Sequence, residues 1–347
     1  MTNAMFNAYF FIAVIFITFL IRYILIQKSF LLDNYSFSDH KNIKGQKKII
    51  LGPPLCGGLI IFLIFFFEPS FYYLNIFVFL LLIIGILSDN NILNSPKIRI
   101  LLQLAAVLSF VLFFDIKVTD LRIPYANMLF QKSYISIIFT VFCILILING
   151  TNFIDGLNTL VLAYYIMVIA SIILLALKFN LLLNQNEILF LIALVVLYFF
   201  NFFEKIFLGD SGSYVVALIT SFFLLNFVNN NQLVSPYFIC LLLWYPAFEN
   251  FFSIIRRSFE RKKNYQADQG HMHQLLFFYL LQKYKLKTFS ANTLSASIIN
   301  LFNLMIFIIS FNYFNKTIVM VALILFSISS YLLFYYFLKK INKKKFL

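Results

Sequence analysis

Acidic residues are scarce in this chain: 13 Asp and Glu stand against 27 Lys and Arg in 347 residues, and charged residues make up only 12%. A soluble domain keeps about a quarter of its residues charged, so a soluble globular fold is excluded. Cysteine is nearly missing as well. Cys56, Cys143 and Cys240 are solitary, set in apolar surroundings, and form no CxxC pattern. That excludes a disulfide framework and a cysteine-held metal, and leaves buried thiols. No long polar stretch exists either. The longest, roughly residues 256–287, is too short for an independent soluble domain, so residues 1–347 read as one unit. No internal repeat is evident, which weakens an inverted-repeat transporter reading. No basic region precedes the first apolar run, residues 4–26, which reads as a retained helix rather than a cleaved signal.

Hydrophobic residues, by contrast, make up 62% of the chain. At about 20 apolar residues per span, the expectation is an all-α, polytopic integral membrane protein of about eleven helices. Their expected ranges are 4–27, 49–67, 70–87, 98–115, 133–149, 158–178, 187–203, 213–229, 234–255, 290–311 and 317–338. The net charge of +14 does not point to nucleic acid, because the basic residues lie between the apolar runs and act as topology determinants. With the N-terminus outside and the C-terminus inside, 22 of the 27 basic residues fall on the inner side. The expected inner loops are about 28–48, 88–97, 149–158, 204–213 and 256–289. Asp89, Asp155, Asp210, His271 and His273 then share the cytoplasmic side. Charges gather at helix ends and none is clearly at a bilayer midplane, where ion-coupled transporters usually place theirs.

The inner loops carry the chemistry. Residues 149–158 read Asn-Gly-Thr-Asn-Phe-Ile-Asp-Gly-Leu-Asn, a polar cluster that costs several kcal/mol to desolvate if unpaired. Asn149, Asn152, Asp155 and Asn158 recur every three residues, a step that drifts about 60° around a helix. Gly150 and Gly156 therefore suggest a break that turns several amides toward one centre. Such amides suit a uracil-like edge or a hard cation; the bland alternative is a polar helix junction. Gly209-Asp210-Ser211-Gly212-Ser213 places a carboxylate at a helix entrance, as a simple cap or as part of a phosphate or metal site. Ser88-Asp89 precedes Ser95-Pro96-Lys97-Ile98-Arg99, where Ser95 suits a helix cap with Pro96 in the first turn. Asp89 is equally a solvated loop acid or a working carboxylate. In Asp268-Gln269-Gly270-His271-Met272-His273, no further ligands of suitable type lie near the His-x-His pair. Zinc is therefore set aside, and the histidines, beside Arg256 and Arg257, suit a pyrophosphate. The run Leu275 to Leu281 that follows suits an interfacial segment. Lys41 to Lys48 suit anionic lipid, and Gly57-Gly58 suit close helix packing.

Taken in order, Pro-Pro-Leu-Cys-Gly-Gly from Pro53, Ser-Asp with Ser-Pro-Lys-Ile-Arg, the 149–158 motif, Phe-Leu-Gly-Asp-Ser-Gly-Ser from Phe207 and Asp-Gln-Gly-His-Met-His resemble the polyprenyl-phosphate N-acetylhexosamine-1-phosphate transferases. The resemblance implies an enzyme of the inner (plasma) membrane with a cytoplasmic active site. It would move a sugar-1-phosphate from a UDP-sugar to undecaprenyl phosphate, release UMP, and start a lipid-linked surface glycan. It implies Mg²⁺, with Mn²⁺ as an alternative, no nucleic-acid partner, and a homodimer as one option for assembly. By resemblance, Asp210 is the principal metal ligand with help from Asn152. Asp89 stands second in the family's Asp-Asp pair and receives a proton from the lipid phosphate, and Asp155 is a nucleophile or a structural acid. Asn158 contacts uridine, His271 and His273 touch the sugar-nucleotide phosphates, and Asn149, Lys97 and Arg257 join the substrate side. Ser88 departs from the pair's usual first Asp, which questions any mechanism needing both acids. Asn158 departs from the Asp of the muramoyl-pentapeptide branch and argues against a peptidoglycan substrate. The alternatives are a transporter or flippase of lipid-linked sugars, or a weakly active member. A CDP-alcohol phosphotransferase is excluded because its compact acidic motif is missing.

Overall fold

A computed structural model of the chain describes residues 3–34, 51–259 and 270–343. The basic stretch at 41–48 and the residues Asp268 and Gln269 of the histidine motif lie outside the described residues. The helices in chain order are α1 (Asn3–Gln27), α2 (Gly57–Phe66), α3 (Tyr72–Asp89), α4 (Pro96–Phe114), α5 (Pro124–Phe130), α6 (Ser133–Ile154) and α7 (Leu160–Phe179). There follow α8 (Gln185–Phe202), α9 (Gly209–Asn230), α10 (Pro236–Leu242), α11 (Trp244–Phe259), α12 (Met272–Tyr284), α13 (Thr288–Phe311) and α14 (Thr317–Lys343). The molecule is an all-α polytopic membrane protein, and nine of these helices are each long and apolar enough to cross a bilayer.

Two of the eleven expected spans take a different form. The second, expected over 49–67, is only the ten-residue α2, about 15 Å long against a hydrocarbon core of about 30 Å. Its entry is extended: β2 (Leu51–Pro54) pairs antiparallel with β1 (Leu32–Asn34), the one small sheet among the described residues. Pro53 and Pro54 forbid helix there. The extended backbone is satisfied by other segments, as membrane-embedded backbone must be: Leu55 N–H donates to Leu31 O at 2.7 Å, and Cys56 N–H to Phe207 O at 3.1 Å.

The ninth expected span, 234–255, is a broken pair, α10 and α11, bent by 68°. Pro246 explains the break. It has no N–H to give the carbonyl of Leu242 one turn earlier, and that carbonyl instead accepts the Tyr164 hydroxyl at 2.8 Å.

The helix that positions the site is α9. Some 78% of its membrane-length window is buried, against 17% for α14 at the periphery, and it packs on α2, α3, α6 and α7. Small residues at its start permit this. A Cβ added at Gly58 would lie 2.6 Å from the Ser211 backbone, and one at Gly85 2.2 Å from Ser211 Cα. These glycines bring α2 and α3 backbone to backbone with α9, as expected for Gly57-Gly58.

Glycine acts differently at 149–158 than the sequence suggests. Helix α6 runs unbroken through Gly150 to Ile154. A Cβ at Gly150 would stand 2.1 Å from Pro246 O, so this glycine serves close packing of α6 on α11. The chain turns only at 155–159, where Thr159 takes a left-handed φ of 70°.

Candidate active site

Helix α9 begins at Gly209, whose φ of +74° few side chains tolerate. Its first-turn amides point at Asp89 on the end of α3. Asp210 N–H donates to Asp89 Oδ1 at 2.8 Å and Ser211 N–H to Oδ2 at 3.2 Å. Asp89 is thus a carboxyl group held at a helix N-terminus, satisfying two amides that have no partner within their own helix. A Cβ at Gly209 would sit 2.9 Å from Asp89 Oδ2, so only glycine lets this carboxylate close over the helix start.

Asp210 faces the other way and gathers four side chains. Asn152 Nδ2 donates to Oδ1 at 2.6 Å. The Ser88 hydroxyl donates to Oδ2 at 2.5 Å and accepts from Arg99 Nη1 at 2.7 Å. Arg99 Nη1 also pairs with Oδ2 at 3.1 Å, and the Tyr214 hydroxyl lies at 3.4 Å. Asp155, just past the end of α6, accepts from Ser213 Oγ at 3.2 Å. The loops after α3, α6 and α8 therefore bring all three expected carboxylates around one turn of α9.

The other expected residues divide by place. Asn149, one turn below Asn152, is turned into the α4–α6 packing, where its Nδ2 donates to Gln103 Oε1 at 3.0 Å. Asn158 lies at the start of α7, its Nδ2 donating to Glu204 Oε1 at 2.8 Å and its N–H to Asn292 Oδ1 at 2.9 Å. Lys97 is exposed on the first turn of α4, and it is Arg99, two residues on, that reaches Asp210. Ser95 holds the cap position of α4 without a capping side-chain bond, although Pro96 opens the helix as expected.

His271 caps α12 and is buried. Its Nδ1 lies 2.9 Å from Glu249 Oε1 and 3.2 Å from Ser253 Oγ. His273 is fully buried and stacks on His271 with ring centroids 5.6 Å apart. A Cβ at Gly156 would come within 2.3 Å of His273 Nε2, so Gly156 makes room for this ring beside Asp155. Arg257 lies over the Phe153 ring at 5.7 Å. Helix α12, which holds the run from Leu275 to Leu281, packs on α13 and α14.

Arg99 and Glu249 join the expected residues. Glu249, with no exposed surface, sits inside an apolar run and receives the Tyr331 hydroxyl at 2.6 Å as well as His271. A lone acid inside a membrane span is the signal that marks it.

Residues 71–228 match glycosyl transferase family 4. The match covers α3 to α9, the segment that contributes Asp89, Arg99, Asn152, Asp155 and Asp210. The chain is also 29% identical over 204 residues to the probable undecaprenyl-phosphate N-acetylglucosaminyl 1-phosphate transferase of Bacillus subtilis (strain 168). That alignment takes in 57% of this chain and 56% of the relative, so the chain spans little more than half the length of the relative it matches. Both findings agree with the resemblance drawn from the motifs.

As to a metal, no group of three or more His, Cys, Asp or Glu among the described residues could hold an ion. A Mg²⁺ site does not need such a group. Mg²⁺ commonly takes one or two carboxylates and completes its shell with phosphate oxygens and water. Asp210 and the Asn152 amide fit that role. The amide now gives its nitrogen to Asp210, and half a turn would present its oxygen there instead.

Proposed function

We propose that the protein transfers an N-acetylhexosamine-1-phosphate from a UDP-sugar to undecaprenyl phosphate at the cytoplasmic face of the membrane, releasing UMP. The observation that carries this reading is the ring of Asp89, Asp155 and Asp210 around the first turn of α9, with Arg99 beside it, inside the family 4 segment. The B. subtilis relative's name describes the same transfer. The basic-residue bias supports an outside N-terminus and puts this end of the bundle in the cytosol.

The reaction joins two polyanions. A phosphate monoester is already mostly ionised at pH 7, with its second pKa near 6, so its oxygen attacks without a strong base. That oxygen forms a bond to the β-phosphorus of the donor. The bond from that phosphorus to the bridging oxygen breaks, and UMP leaves with the electron pair. Arg99 offers a cation to the developing charge, and the exposed amides of the α9 turn add their dipole. Asp89, with both oxygens engaged by α9, holds the turn in place. Asp155 lies beside Ser213 on the same helix face, a nucleophile only if a phospho-enzyme forms. Direct displacement needs no such intermediate. Mg²⁺, when bound at Asp210 and Asn152, would neutralise the diphosphate and stabilise the transferring phosphoryl group. Arg257 adds a cation on the side of the donor phosphates, and His271 is oriented by Glu249. Holding both substrates at one surface supplies proximity.

Membranes bearing the protein, given undecaprenyl phosphate, Mg²⁺ and a panel of labelled UDP-sugars, should yield a chloroform-extractable product with at least one N-acetylated donor. Absence of product across the panel would overturn the reading.

A further inference from the structure

A second feature lies on the lipid-facing side, away from the carboxylate ring. Helices α1 and α8 run side by side in the same direction. Gln185 Nε2 donates to Asn7 Oδ1 at 2.7 Å near one end, and toward the other Phe19 meets Phe200 edge-on at 4.8 Å and Arg22 Nε donates to Lys205 O at 3.1 Å. Between them opens a groove of about 510 Å³. Its walls are Phe11, Ile15 and Phe19 on α1 with Phe199, Phe200 and Phe203 on or just past α8, and both Arg22 and Lys205 line it.

The shape is that of a lipid in one leaflet. From Phe11 to Arg22 the helix rises about 16 Å, about half the hydrocarbon thickness. The apolar wall thus spans one leaflet depth and ends in two cations at headgroup level. Among the described residues, no carboxylate forms an ion pair with Arg22 or Lys205, and Glu204 turns its Oε1 to Asn158. The Arg22 Nη groups and the exposed Lys205 ammonium are positioned to meet a phosphate.

We propose that this groove is a binding site for an anionic membrane phospholipid, with its acyl chain along the phenylalanines and its phosphate on Arg22 and Lys205. Charge complementarity selects this occupant over a zwitterionic lipid. Lys205 lies five residues before Asp210, and Phe207 between them donates its N–H to Pro54 O at 2.9 Å. A bound headgroup would therefore brace the segment that leads into the site. The proposal rests on the membrane placement and not on the transfer reaction, so either can fail without the other.

The test uses the full-length protein, purified in detergent, exposed to equimolar phosphatidylglycerol and phosphatidylcholine, and read by native mass spectrometry. Two headgroup cations predict a preference for phosphatidylglycerol on the order of tenfold or more. In Arg22→Gln/Lys205→Gln the preference should fall toward unity while the helical circular dichroism signal is kept. Phe200→Ala should lower retention of both lipids without changing their ratio. Equal retention of the two lipids by the wild type would overturn the proposal, as would an unchanged preference in the double variant. So would displacement of phosphatidylglycerol by a stoichiometric amount of undecaprenyl phosphate, which would assign the groove to the acceptor. Dimers that form through this face when lipid is stripped would likewise assign it to a second copy.

Discussion

Gly85 carries no functional group, yet its replacement by alanine should disable the site. The added Cβ would stand 2.2 Å from Ser211 Cα and 2.5 Å from Ser211 N. Carbon atoms in contact keep about 3.5 Å, so α3 and α9 would have to part by about 1.3 Å. Nothing flexible can yield, because the obstructing atoms are backbone. The same motion would stretch the bonds from Asp210 N and Ser211 N to Asp89, now 2.8 and 3.2 Å, beyond hydrogen-bonding range. Hydrogen bonds to a charged group contribute about 1.5–3 kcal/mol each, and overpacking costs about 1–3 kcal/mol. Relief by bending elsewhere would recover part of this. A loss of about 3 kcal/mol would still lower the transfer rate more than 100-fold if it fell on the reacting geometry. The assay is transfer of labelled sugar phosphate in membranes, paired with thermal melting of the purified protein by fluorescence-detected size exclusion. Activity and melting both at wild-type level would refute the claim that α3 and α9 meet backbone to backbone at Ser211.

Other expectations follow from the same geometry. Asp210→Asn should reduce turnover by at least a thousandfold, since it removes the charge and turns one of the two accepting oxygens into a donor; near-normal turnover would remove Asp210 from the centre. Ser88→Asp adds a second carboxylate beside Asp210, and the mutual repulsion should lower the half-saturating Mg²⁺ concentration severalfold; an unchanged metal titration would contradict the assigned contact. Tyr164→Phe strands the Leu242 carbonyl at the α10–α11 bend and should destabilise by about 1–3 kcal/mol, measured as a lower melting temperature with activity retained below it.

The membrane class, the motif loops and their convergence were legible before the structure, because apolar run length and polar interruptions are local signals. Among the described residues, nine spans appear as single helices where long apolar runs predict them. The second and ninth do not, and the reason is local chemistry acting against hydropathy. Pro53 and Pro54 keep the entry to α2 extended, and Pro246 breaks the ninth span. A hydropathy window averages over such residues. At 149–158 the spacing predicts a break that turns several amides toward one centre, but Gly150 lies in an unbroken helix because its task is contact with Pro246, and contact is invisible in one dimension. For the same reason Asn149 and Asn152, three residues apart, have different partners: Gln103 for one and Asp210 for the other. Arg99 is not distinguished from Lys97 in the sequence because its partner Asp210 lies on another helix, and Glu249 is marked only by its isolation in an apolar run.

The most direct test follows the phosphorus. With donor labelled in the β-phosphate of UDP-N-acetylglucosamine, sugar-phosphate transfer carries the label into the lipid product and leaves unlabelled UMP in equal amount. Should the label stay in the aqueous phase as UDP while the sugar alone reaches the lipid, the proposed chemistry at α9 is contradicted.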